Sequence, residues 1–150
     1  MDDLFLAYEI ADAYSVEREP LIQFFPRAEE TLQFLIDHQV SLALITNGDA
    51  QKQRQKVVRF GLDRFFKTIL IEGEVGYGKP EEAVYVRALA DLDLRPDAVW
   101  SVGDNLEWDV STPQKLGMFG IWHDSRAQGL PPASPIIPDR IITSISELIP

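Results

Sequence analysis

Three strand-length apolar runs constrain this chain most, because none alternates between apolar and polar residues. They are Ser41 to Thr46, Thr68 to Ile71 and Ala98 to Val102, with helical spacing over Gln51 to Phe60 and Glu81 to Ala90 between them. A strand with this pattern is covered on both faces. Strand, helix, strand, helix, strand therefore predicts an α/β fold: a parallel sheet with right-handed crossovers, flanked by helices. Gly120 to Trp122 and Arg140 to Ile142 read as two further short strands, and the prolines of Gly129 to Pro138 mark a loop between them. Upstream, Leu4, Leu6, Ala7, Ile10, Ala11 and Tyr14 recur at helical spacing. Ala28 to His38 predicts a second helix with Leu32, Leu35 and Ile36 on its apolar face and His38 at its negative end.

The length of 150 residues suits one domain. A formal charge of -10 would repel polyanions over most of the surface, which argues against a nucleic-acid or anionic-membrane partner. The densest basic stretch, Lys52, Arg54, Lys56 and Arg59, has the spacing of a solvated helix face. With no cysteine, thiol nucleophiles and cysteine-ligated zinc are excluded, and His38 and His123 are too few for a histidine-rich metal site. The longest run without Asp, Glu, Lys or Arg, Ala127 to Pro138, carries four prolines and falls short of the ~20 apolar residues of a membrane span. The acidic start Met1-Asp2-Asp3 is unlike a signal peptide, so a cytoplasmic protein is expected.

Ligands of open parallel sheets bind beyond the carboxyl ends of the strands. Thr46, Asn47, Gly48 and Asp49 follow the first run, Glu72 to Lys79 the second, and Gly103, Asp104 and Asn105 the third. Asn47-Gly48 is a hairpin signal, but the helical pattern after it makes it a turn into a helix start. There Thr46 and free backbone N–H groups suit a phosphate, or the segment is a plain turn with Asp49 as cap. Gly73 to Lys79 has P-loop spacing, yet Pro80 stands where Ser or Thr would hold magnesium, and Glu72 and Glu74 oppose phosphates. Lys79-Pro80-Glu81-Glu82 reads instead as a helix start, leaving Lys79 as a solvated loop lysine or a phosphoryl counter-charge. Asp104 and Asp109 straddle a strand-to-helix turn: the first suits magnesium and the second can orient a lysine, or Asp104 caps a helix whose Glu107 and Asp109 are exposed. Trp108, Trp122 and His123, near this edge, read as packing residues rather than specificity residues.

Taken together, Leu42 to Gly48, Gly78-Lys79-Pro80 and Val102 to Asn105 with Asp109 resemble three of the four motifs of the haloacid dehalogenase-like (HAD) hydrolases. The resemblance runs from about Phe25 onward. It implies a Rossmann-like core over residues 25–150 and a remnant of the family's helical cap over residues 1–24. It further implies a phosphatase of small phosphorylated metabolites that uses Mg2+ and passes through an aspartyl-phosphate. By carry-over, Thr46, Asn47 and Gly48 bind the phosphoryl group, Lys79 neutralises it, Asp104 binds the metal and Asp109 holds Lys79. Thr46, Lys79 and Asp109 are the expected catalytic group.

The chain departs from the family at the first motif. No Asp-x-Asp-x-Thr or Asp-x-Asp-x-Val segment ends an apolar strand before Thr46, and Asp91-Leu92-Asp93 ends a helix in the wrong place. The sheet's first, central strand and most of the cap are therefore expected to be missing, as in a truncated chain, and the chain alone is expected to be inactive. Met1 reads equally as an internal methionine of a longer protein. The alternative is a pseudo-phosphatase that binds a phospho-ligand or a partner without turnover. Open central strand edges would favour a homodimer.

Overall fold

The computed structural model describes residues 19–150; the amphipathic segment Leu4 to Tyr14 lies outside them. Helix α1 (Ala28–Asp37) leads to strand β1 (Ala43–Thr46), helix α2 (Ala50–Arg59) and strand β2 (Thr68–Ile71). A one-turn helix α3 (Glu72–Val75) and helix α4 (Glu82–Leu92) follow, then β3 (Trp100–Gly103). A wide π-helical turn (Leu106–Ser111) runs into α5 (Thr112–Lys115), and β4 (Phe119–His123) and β5 (Arg140–Ile142) complete the order. All pairings are parallel, as the unbroken apolar runs predict. Residues 129–138 form the expected loop, without helix or strand.

The strands form two sheets, β1-β2 and β3-β4-β5. Among the described residues β1 and β3, which follow the same pattern as interior strands, thus each keep an unpaired edge and do not pair with one another. The exposure of β1 reflects this: all four of its residues are only half-buried, whereas Gly120 to His123 of β4, flanked on both sides, are buried.

What joins the two sheets is α4 and the core beneath it. Val84, Tyr85 and Ala88 of α4 bury against Leu70 of β2 and Met118 before β4, with Ala43, Ile45, Val99 and Leu116 packed around them. A fully buried side chain such as Val84, 1% exposed, contributes roughly 1.5–3 kcal/mol. The helix ends follow the sequence. Asp49 caps α2, its carboxylate accepting from Lys52 N at 2.9 Å. His38 closes α1 with its ring Nδ1 2.8 Å from Phe34 O.

One boundary differs from expectation. Lys79-Pro80 is not the first turn of α4: the helix begins at Glu82 and the Lys79-Pro80 peptide bond is cis. Pro80 belongs to a turn that aims Lys79 across the carboxyl ends of the strands.

Candidate active site

Two loops interlock beyond β1 and β2. Gly48 N donates to Glu72 Oε2 at 2.9 Å, and Gly73 N donates to Gly48 O at 3.0 Å. Gln53 Nε2 of α2 donates back to Asn47 O at 3.1 Å, and Arg54 Nε reaches Glu74 Oε1 at 2.8 Å. A Cβ on Gly73 would run into the backbone of Ala50 and Gly48, so the approach of the loops requires glycine there.

Asn47 grips the backbone of Lys79 at both ends. Its Oδ1 accepts from Lys79 N at 2.8 Å and its Nδ2 donates to Lys79 O at 2.6 Å. From that anchored backbone the Lys79 ammonium donates to Asp109 Oδ1 at 2.7 Å. The pair is mostly shielded, with side chains 17% and 7% exposed.

Asp109 is buried rather than exposed, because the turn after β3 folds it inward. Asn105 caps that turn through Oδ1, which accepts from Glu107 N and Trp108 N, and Asn105 N donates to Asp109 Oδ2 at 3.0 Å. Ser101 Oγ donates to Asp109 O at 2.7 Å, and Tyr85 OH donates to Trp108 O. Gly103 leaves the space that the Asp109 carboxylate fills. Tyr85 sits in a dry environment: burial, and secondarily the Asp109 charge, pushes its phenol well above the usual tyrosine range.

The expected site residues thus divide. Asn47, Lys79 and Asp109 form one bonded chain, and Gly48 is bonded to Glu72. Thr46 ends β1 with its hydroxyl 3.4 Å from Asn47 O, beside an apolar cavity of about 250 Å3 walled by Leu44, Val57 and Phe60. Asp104 is exposed, and its carbonyl accepts from Trp122 Nε1 at 2.9 Å. Trp122 and His123 are buried; His123 packs edge-on against Phe25.

Glu72, Tyr85 and Ser101 were not among the residues expected to shape the site. Glu72 counted only as a charge opposing phosphate, though its place directly after β2 was the available signal. Among the described residues no group of three or more His, Asp and Glu side chains could hold a metal. The donor set fits magnesium only in part: Asp104 offers one carboxylate, and an ion there would draw its remaining oxygens from water and a phosphate.

The haloacid dehalogenase-like hydrolase model matches residues 5–122. The chain belongs to the haloacid dehalogenase-like hydrolases. It is 38% identical over 131 residues to a phosphoserine phosphatase from Thermus thermophilus, covering 86% of this chain and 50% of that protein. It is 30% identical to a glyceraldehyde 3-phosphate phosphatase from Methanopyrus kandleri, covering 73% of this chain and 47% of the relative. Among solved structures, a HAD phosphatase from Thermococcus onnurineus superposes with a TM-score of 0.78 at 26% identity, over 89% of this chain and 60% of that one. A 2-haloacid dehalogenase from Pseudomonas syringae gives 0.73 at 32% identity, over 84% and 51%. This HAD chain spans about half the length of the curated relatives it matches.

Proposed function

We propose that this chain carries most of the phosphate-handling half of a cytoplasmic, magnesium-dependent phosphohydrolase for small phosphorylated metabolites. The Lys79–Asp109 pair supports this most: a shielded ammonium, held at a strand edge by a buried carboxylate, is a fixed counter-charge for a phosphoryl group. Thr46 would donate its hydroxyl to a phosphoryl oxygen, and Asp104 would give a magnesium ion one carboxylate. Magnesium there would draw charge from the phosphate oxygens. Residues 25–150 would form the core and residues 1–24 the end of a cap.

The nucleophile is the part this sequence lacks. In the proposed reaction a carboxylate oxygen attacks phosphorus, the ester oxygen leaves with a proton, and water then cleaves the aspartyl-phosphate. No segment before Thr46 supplies that carboxylate at a strand end, so the 150-residue chain should not turn over by itself.

The test is magnesium-dependent phosphate release from p-nitrophenyl phosphate by the chain alone and by a form extended with an upstream Asp-x-Asp-x-Thr strand, each beside Asp104→Asn. Release by the extended form only, lost in the variant, supports the reading. Release by the chain alone, lost in the variant, would place a nucleophile within these residues. Phosphate binding without release in either form would favour a pseudo-phosphatase.

A further inference from the structure

We propose that Asn47 is a positioning residue, which acts on the backbone of Lys79 and thereby sets where the Lys79 ammonium stands. Resting on the phosphohydrolase reading, this gives the Asn47 side chain a task other than the phosphate contact that the resemblance implies.

The geometry carries it. Asn47 meets the N–H and the C=O of one residue with the O and N of one carboxamide, at 2.8 and 2.6 Å. That arrangement imitates the paired bonds by which a neighbouring strand grips a residue. It also fixes which end of the amide is oxygen, since the reverse orientation would face donor with donor. With both ends committed to Lys79, the carboxamide cannot turn to an incoming ligand without releasing it.

Neighbouring residues are shaped around this grip. Gly78 is buried, and a Cβ there would lie 2.6 Å from Asn47 Oδ1 and 2.9 Å from Glu72 Cγ. Gln53 holds Asn47 from the other side through its backbone carbonyl. Asn47 is thus anchored in the loop after β1, and Lys79 takes its place from that loop rather than from its own strand. The ammonium is then held at its far end by Asp109, in the turn that follows β3 of the other sheet. A lysine fixed at both ends keeps few rotamers, so its charge need not be ordered when a phosphate arrives.

The experiment is nuclear magnetic resonance on the isotope-labelled 150-residue chain, with inorganic phosphate as the probe. In the wild type the Asn47 amide protons should exchange slowly and couple through the hydrogen bond to the Lys79 carbonyl, and the two Lys79 ε-protons should be resolved. Asn47→Asp keeps the shape but sets an oxygen against the Lys79 carbonyl. It should merge the Lys79 ε-proton signals, leave those of Lys52, Lys56, Lys67 and Lys115 unchanged, and weaken phosphate binding about tenfold.

Unchanged Lys79 signals in the variant would overturn the proposal, and if phosphate were lost as well Asn47 would be a direct ligand. Merged signals with phosphate affinity intact would overturn the link to the ligand, since Asn47 would then hold Lys79 without consequence for phosphate. If the wild type bound no phosphate while the Lys79 signals responded, Asn47 would still position Lys79, and the phosphohydrolase reading would be what fails. Should the variant not fold, the wild-type spectrum decides: fast-exchanging Asn47 amide protons would sink the grip.

Discussion

The Lys79 ammonium reaches Asp109 Oδ1 at 2.7 Å across the boundary between the two sheets, joining the loop after β2 to the turn after β3. Removing one partner of such a shielded pair strands the other. Asp109→Asn should lower stability by about 2 kcal/mol or more, read by urea unfolding, and should weaken inorganic phosphate binding in the same sample. A double variant, Asp109→Asn with Lys79→Met, should recover part of the lost stability and none of the binding.

Tyr85 links α4 to the same turn by donating to Trp108 O. Tyr85→Phe should cost about 1 kcal/mol. Burial raises its folded-state pKa above the ordinary value near 10.0, so the folded chain holds a proton the unfolded chain gives up. Its contribution is complete below pH 10 and declines as pH rises from there toward the folded value. Ultraviolet titration of the wild type against Tyr85→Phe should show that the phenolate signal missing from the variant develops only above the ordinary tyrosine range, or as the protein unfolds.

Gly73 and Gly103 are set by close approach. Gly73→Ala would push the two loops apart, with Ala50 N only 2.4 Å from the new methyl, and should cost roughly 1–3 kcal/mol. Gly103→Ala would displace the Asp109 carboxylate, so phosphate binding should fall along with stability. Calorimetric melting and phosphate titration of both variants check this.

The edges that β1 and β3 leave unpaired among the described residues should drive self-association. Sedimentation at micromolar concentration should show dimers, and Trp100→Lys, at a β3 position 55% exposed, should shift them toward monomer. A monomeric wild type would contradict this.

The fold was legible where burial alone shapes the pattern. Unbroken apolar runs marked β1, β2 and β3 and their parallel order, although β1 is only half-buried and Trp100 of β3 is exposed. Contacts between distant residues were less so. Asn47 and Lys79 are 32 residues apart, and nothing local in Asn47-Gly48 tells a carboxamide bound to a ligand from one bound to its own chain. The local spacing left Asp109 either as the carboxylate that orients a lysine or as an exposed helix acid, because only Gly103, Asn105 and Lys79 in place turn it inward. Pro80 resembled a helix start because proline favours the first helical turn, whereas here it lies in a turn and α4 begins at Glu82.

Paired on each side, β4 differs from every other described strand. Its amides should be the last to exchange with deuterated solvent, while those on the outer edges of β1 and β3 exchange early. The persistent part of this protein would then be centred on β4, and the ammonium would sit beyond β2, on the half that loosens first.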